Sequence, residues 1–178
     1  MKWSIGLLLF LFVLGMPCVA RSQADDILDK SNREPLHGIS HVFIDRIVAD
    51  ENITKDGLDA DAIKLSIENK LRIAGLKIAP AFSMFFTSFE TRPQSISVEI
   101  ESLKIKDEPI YCYTVRFEVT NYAVLIQDKV SRGFTVWEQH TLGYAGTSRL
   151  SVIKETCDKF ADKFVNDWLT AKDEVLGA

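Results

Sequence analysis

The chain has 178 residues, with 21 Lys and Arg against 25 Asp and Glu and a formal net charge of −4. A mildly acidic chain without a Lys/Arg cluster argues against a nucleic-acid partner, because contacts of basic side chains with phosphates supply most of that affinity. The same balance argues against electrostatic binding to an anionic membrane surface.

The first 20 residues have the pattern of a signal peptide. Lys2 gives a short positive segment, and the apolar run from Ile5 to Leu14 is about ten residues long. A helix that spans a bilayer needs about 20 apolar residues, so this run is too short for an anchor. Small residues mark two cleavage sites, after Ala20 and after Ala24. We therefore expect residues 1–20 to be removed, with cleavage as late as residue 24 as the alternative.

Cys18 raises the alternative of lipid attachment. Met16 and Pro17 precede it, where a lipoprotein signal carries small residues. We therefore expect a soluble exported protein, periplasmic or extracellular, with no transmembrane segment after processing. Removal of residues 1–20 leaves 178 − 20 = 158 residues, enough for one well-buried domain. The polar composition of 21–37 predicts a flexible lead-in, and 38–178 is predicted to be a single α/β domain.

The first half of this domain predicts a strand, a helix and a second strand. Ile39–Val48 is apolar and β-branched, as in a strand, and the polar segment 49–57 is predicted to be a loop. A helix begins at about Asp59 and ends at Gly75, and 76–78 begins the next strand. This order predicts a βαβ unit with parallel strands.

The aromatic segment 82–89 has two interpretations. Both parities along it are apolar, which favours a strand buried on both faces. If it were exposed, it would be a patch for a lipid, a peptide or a partner protein.

The second half predicts antiparallel strands and a closing helix. The strands are expected at 96–100, at 111–126 and at 134–144, and the helix at 149–171. A β-bulge near Ser102 would return Leu103 and Ile105 to the inner face. The predicted fold class is α+β, a two-layer sandwich with a mostly antiparallel sheet of about five strands, a βαβ unit at its start and a C-terminal helix packed on one face.

One face of this sheet is the predicted partner surface. Polar side chains share one parity of the adjacent strands: Glu99, Glu101, Thr114, Arg116 and Glu118. This pattern predicts that both helices cover the opposite face and leave the polar one bare. Within this bare face we assign partner binding to Arg116, Glu99 and Glu118, joined by Trp137.

Two patterns of possible chemistry are weak. Ser151 and Lys154 fit Ser-x-x-Lys at the start of a helix, but the companion motifs of serine acyl-enzymes are absent, and Ser151 equally fits a helix N-terminus. His37 and His41 would lie about 13 Å apart along a strand. Zinc ligands lie at about 2.0–2.1 Å, so these two cannot share an ion. We assign no catalytic, cofactor-binding or metal residue.

Three segments resemble a family of exported bacterial proteins of unknown function. These are "LRIAGLKI" at 71–78, "YCYTVRFEV" at 111–119 and "KFADKFVNDWLTA" at 159–171, and the resemblance covers about 38–172. The layout is also similar to periplasmic α/β domains of outer-membrane secretion and assembly machines. Export, a compact domain and the absence of a catalytic constellation predict a non-catalytic exported binding or assembly domain of the cell envelope, with an envelope protein as its partner. The alternative is a hydrolase whose site forms only in three dimensions, with Ser151 and Lys154 or a histidine as the reactive group.

The two cysteines that remain after processing are predicted not to pair. Cys112 alternates with Tyr111 and Tyr113, so it points away from the face that those tyrosines bury. Cys157 lies on the apolar stripe of the last helix and points into the core. A sheet layer would then separate the two thiols, although the compartment permits a disulfide.

Overall fold

The computed structural model describes residues 33–80, 93–106, 108–124 and 131–176. The predicted signal peptide with Cys18 and the aromatic segment 82–89 lie outside these residues. The described ranges contain five strands, three α-helices and two short 3-10 turns at Glu34–Leu36 and Thr147–Arg149.

The five strands form one sheet in the order β2-β1-β3-β4-β5. Their bounds are β1 His41–Ala49, β2 Lys77–Ile78, β3 Gln94–Lys104, β4 Ile110–Val124 and β5 Ser131–Gly146. β1 pairs in parallel with both β2 and β3, whereas β4 is antiparallel to β3 and β5. The α+β class and the number of strands agree with the prediction. The sheet is mixed and not purely antiparallel, because β1 has parallel partners on both sides.

Two of the three helices begin and end close to the predicted residues. α2 spans Ala60–Ile73, and the Asp59 carboxylate accepts a hydrogen bond of 2.9 Å from the Ala62 amide at its start. Gly75, at a φ of +95°, takes the left-handed conformation that ends the helix. α3 spans Ser151–Leu176 and runs five residues past the predicted end.

A short helix replaces the predicted loop before α2. This helix, α1, spans Glu51–Lys55. Asp50, just before it, accepts hydrogen bonds from the amide and hydroxyl of Ser102. Asp56, just after it, accepts hydrogen bonds from Lys104 Nζ at 2.7 Å and from Tyr111 Oη at 2.8 Å. The two carboxylates therefore tie both ends of α1 to β3 and β4.

The same contacts correct the predicted β-bulge in β3. β3 pairs with β4 in unbroken register from Ser95 to Lys104. Ser102 and Lys104 therefore remain on the inner face. Asp50 accepts the hydrogen bonds of Ser102, and Asp56 accepts the hydrogen bond of Lys104. Leu103 points outward and is 71% exposed.

The core lies between the inner face of the sheet and the helices α2 and α3. Its buried side chains from the two helices include Ile63, Ile67 and Leu71 and Ile153, Cys157 and Phe164. The ring of Phe117 on β4 lies 6.4 Å from that of Phe164. At the far end of α3, the Trp168 indole donates a hydrogen bond of 2.9 Å to the carbonyl of Ile39.

Residues 33–37 belong to the domain, which corrects the predicted lead-in over 21–37. Leu36 is fully buried in the core. Arg33 Nη2 lies 3.1 Å from Glu174 Oε1 near the end of α3. The segment was predicted to be flexible because most of its residues are polar, but its one buried leucine, Leu36, attaches it to the core.

The two described cysteines lie on opposite sides of the sheet. Cys112 is partly exposed on β4, between the buried Tyr111 and Tyr113. Cys157 is fully buried in α3, and burial raises the pKa of its thiol to about 12. Both are free thiols, as the predicted faces require.

Candidate functional site

The face of β3, β4 and β5 that points away from α2 and α3 carries the candidate site, and we call it the outer face. Its residues align across the three strands in rungs. One rung is Leu103, Cys112 and Tyr144; the next is Glu101, Thr114 and Leu142; the third is Glu99, Arg116 and His140; the fourth is Ser97, Glu118 and Glu138. The face therefore changes from apolar at one end to charged at the other.

The apolar end is open to solvent. Leu103, Leu142 and Tyr144 are 71%, 63% and 67% exposed. Their neighbours Cys112 and Thr114 are partly exposed. Contiguous exposed apolar side chains on a sheet face are typical of surfaces that bind another molecule.

Arg116 organises the charged end. Its Nη2 lies 2.7 Å from Glu118 Oε1, and its Nε lies 2.9 Å from Glu138 Oε1. The hydrogen bond to Glu138 and the charge of Glu118 raise the pKa of Arg116. Three of the four predicted partner-binding residues, Arg116, Glu99 and Glu118, therefore lie together on one face.

The placement of Trp137 on this face is wrong. Trp137 is 7% exposed and pairs with Val119 on the inner face, where its ring packs against Phe117 and Phe164 at 5.6 and 5.4 Å. Three further inner positions of β5 carry small residues, Thr141, Gly143 and Ala145. A Cβ added at Gly143 would lie 2.6 Å from Tyr113 Oη, so the ring of Tyr113 occupies the space that a side chain would need.

A shallow depression of about 370 Å³ lies in the middle of the outer face. Glu99, Glu101, Thr114, Arg116 and Leu142 are among the residues that line it. It joins the two ends of the face, because carboxylates and an exposed leucine border the same space.

The Ser-x-x-Lys pattern is not assembled as a catalytic pair. Lys154 Nζ lies 2.8 Å from Asp158 Oδ2 and 3.2 Å from Ser66 Oγ, and Ser66 donates to Asp158 at 2.6 Å. Burial raises the pKa of Asp158, but the hydrogen bonds from Lys154 and Ser66 outweigh it and leave this pKa below its usual value. A lysine ammonium that donates to a carboxylate cannot accept a proton from Ser151. The cluster joins α2 to α3, as does the ion pair of Lys70 with Asp162 at 2.6 Å.

The histidines lie at or near the surface. His37 is exposed, and His41 Nδ1 lies 2.8 Å from Ser40 Oγ. The side chain of His140 is 81% exposed on the outer face. Among the described residues, no group of three or more His, Cys, Asp or Glu side chains has the arrangement of a metal site.

A second, larger depression lies at the end of the sheet beside α1. It measures about 890 Å³, and Asp56, Lys104 and Thr147 are among its lining residues. The hydrogen bonds from Lys104 and Tyr111 hold the pKa of Asp56 below its usual value. Burial and the hydrogen bond to Asp56 raise the pKa of Tyr111. Asp56, Lys104 and Tyr111 pair with each other, which makes this group of three a structural contact between α1 and the sheet.

Three residues of the outer face were missed from the sequence: Leu103, Leu142 and Tyr144. A signal for all three was present. Leu142 and Tyr144 continue the parity of the charged residues Glu138 and His140 along β5. Leu103 likewise continues the parity of Glu99 and Glu101 on β3.

In the described parts of the chain, no helix is both long and apolar enough to cross a membrane.

Comparison with known proteins gives only distant matches. No protein-family model matches the chain, and no curated protein matches it. Among solved structures, it is similar to the PelC dodecamer from Paraburkholderia phytofirmans, with a TM-score of 0.42 and 19% identity over 68% of this chain and 84% of that chain. A point variant of that PelC gives a TM-score of 0.41 and 18% identity over 74% and 88%. The minor lipoprotein from Acinetobacter baumannii gives a TM-score of 0.36 and 9% identity over 72% and 89%. These values describe a weak likeness at the level of the fold alone.

Proposed function

We propose that this protein is an exported, non-catalytic domain that binds a partner protein of the cell envelope through its outer face. The observation that carries the proposal is the row of exposed apolar side chains on a sheet face that the described helices leave uncovered. Leu103, Leu142 and Tyr144 would be buried by a partner, and this burial would favour association by about 25 cal/mol per Å² of apolar surface before the costs of binding.

Export rests on the N-terminal sequence. The short positive segment and the apolar run of about ten residues favour removal after Ala20 or Ala24, and this supports a periplasmic or extracellular location. In the folded domain, α2 and α3 cover the inner face of the sheet. The outer face is therefore the surface that we assign to the partner. The mild negative charge supports a protein partner over a nucleic acid.

Binding is favoured over the hydrolase alternative by the contacts of Lys154. Its ammonium is held between Ser66 and Asp158, so it cannot serve as the base for Ser151. His37 and His140 have no neighbouring nucleophile among the contacts of the described residues. His41 contacts only the hydroxyl of the adjacent Ser40, at 2.8 Å in an exposed position, and no carboxylate contacts this pair among the described residues.

Site-specific photo-crosslinking tests the proposal. A benzophenone amino acid at Thr114 or at Leu142, in the protein produced in its own host, should give a discrete adduct with a larger protein. The matched control is the same amino acid at Lys64, which is exposed on α2. Adducts from the Thr114 and Leu142 positions alone support the outer face. Adducts from Lys64 alone, or none from the outer face, would reject it.

A further inference from the structure

The charges on the outer face do not balance. Four carboxylates, Glu99, Glu101, Glu118 and Glu138, share it with one guanidinium, Arg116. With His140 neutral the sum is 1 − 4 = −3 over these residues. Arg46 on β1 lies beside Ser97, one rung from Glu99, and offsets part of this charge. The face as a whole remains negative.

Two of the four carboxylates form no direct ion pair among the described residues, although the charge of Glu99 acts on Arg116 in the same rung. Arg116 forms its ion pairs with Glu118 and Glu138. Among the contacts of the described residues, Glu99 has no ion pair, and Glu101 accepts only a long hydrogen bond of 3.4 Å from Thr114 Oγ1. Glu99 and Glu101 are therefore the carboxylates that a cation from another molecule would meet.

These two carboxylates lie next to exposed apolar surface. Both line the 370 Å³ depression together with Leu142. Leu142 is in the same rung as Glu101, and Leu103 is two residues further along β3. A lysine or arginine side chain matches this combination, because its aliphatic stem packs on apolar surface while its charged end reaches a carboxylate.

We propose that the partner contacts the outer face through a basic protein segment. Lysine or arginine side chains of that segment bind Glu99 and Glu101, and an apolar residue of the same segment covers Leu142 and Leu103. This inference rests on the proposed function, since it names the chemistry of the partner that the outer face binds. The charge complementarity favours this occupant over a second copy of the chain, whose outer face carries the same negative sum.

Fluorescence anisotropy with a defined probe tests the inference. The probe is a fluorescein-labelled peptide, Lys-Thr-Lys-Leu-Lys-Thr-Lys, and its counterpart has glutamate at each lysine. The mature protein should bind the basic peptide and not the acidic one. Glu99→Gln combined with Glu101→Gln should weaken binding about fivefold, because two exposed charge contacts are lost. Raising the salt from about 0.05 M to about 0.5 M should weaken it further.

The control keeps the same change in net charge. Glu155→Gln combined with Asp173→Asn alters two exposed carboxylates of α3 and should leave the peptide affinity unchanged. Equal weakening by both double variants would mean that net charge alone acts, and it would overturn the inference. The inference would also be overturned if the protein self-associated in analytical ultracentrifugation and the Leu142→Lys variant did not. If photo-adducts form at Thr114 and Leu142 but the basic peptide does not bind, the proposed function stands and this inference fails.

Discussion

The indole nitrogen of Trp137 donates a hydrogen bond of 2.9 Å to Asp167 Oδ2 and so joins the edge strand β5 to helix α3. Asp167 also pairs with Lys163 at 2.8 Å, which fixes the carboxylate from the helix side. The charged group that orients the tryptophan thus lies at the rim of the core, while the ring fills its interior.

Truncation of this tryptophan should destabilise the protein strongly. Trp137→Ala should lower the free energy of unfolding by about 3–5 kcal/mol, because it leaves a cavity beside Phe117 and Phe164. Trp137→Phe keeps a ring in the core and should cost less. Urea denaturation measures both, with His140→Ala on the exposed face of the same strand as the neutral control, within about 0.5 kcal/mol. If the Trp137→Ala protein were as stable as the wild type, the burial of Trp137 would be contradicted and its predicted position on the outer face would be favoured.

Arg116 should matter for binding more than for stability. Its ion pairs with Glu118 and Glu138 are exposed, and exposed pairs contribute about 0–1 kcal/mol each. Arg116→Gln should therefore change the melting temperature little, yet it should alter the yield of photo-adducts, because it frees two more carboxylates on the outer face. Thermal denaturation and cross-linking of the same preparation measure the two effects. A large loss of stability with an unchanged adduct yield would reject the assignment.

The two thiols should react very differently in the folded protein. Cys112 is partly exposed and should be alkylated at pH 8, whereas Cys157 should resist, since burial raises its pKa to about 12. In denaturant, the unreduced mature protein should show two free thiols by mass after alkylation. No free thiol in a monomer would mean that the register of β4 or the placement of α3 is wrong.

The contact of Asp56 should stabilise the fold at neutral pH and not in acid. Its folded-state pKa is lowered by Lys104 and Tyr111, so its contribution is complete above the unfolded pKa of about 3.9 and is lost as the pH falls through the folded value. Asp56→Asn should therefore lower the melting temperature at pH 7, and the gap from the wild type should close on acidification below about pH 4. Asp45→Asn, an exposed position on β1, is the control and should show no such change of gap. A gap that stays constant with pH would contradict the role of the ionised carboxylate.

The sequence predicted β4 well because one cause dominates its pattern. Tyr111, Tyr113, Val115, Phe117 and Val119 fill the inner face without interruption, so alternation gives the correct side for every residue between them. The same logic placed Arg116, Glu99 and Glu118 together.

In β5 alternation holds from Glu138 to Tyr144, but the expectation that large apolar residues face the core fails, because the large inner side chains come from the neighbouring strand. The tyrosines of β4 take the inner space over Gly143 and Ala145, and leucine and tyrosine are left on the outside at Leu142 and Tyr144. Which of two neighbouring strands fills the core depends on how they pair. The sequence of one strand alone does not contain this information. α1 was missed for a similar reason, since its flanking Asp50 and Asp56 find their partners about 50 residues away.

The hydrogen bond of Trp168 to the carbonyl of Ile39 spans 129 residues and connects the start of the domain with its last helix. A chain that is synthesised from its N-terminus cannot close this contact until Trp168 has been added and released. Local pieces such as the β4–β5 hairpin can form early, but the contact of Ile39, just before β1, with α3 has to wait for the last helix. Folding should therefore finish in one late step, and a chain that stops before Trp168 should remain a substrate for proteases.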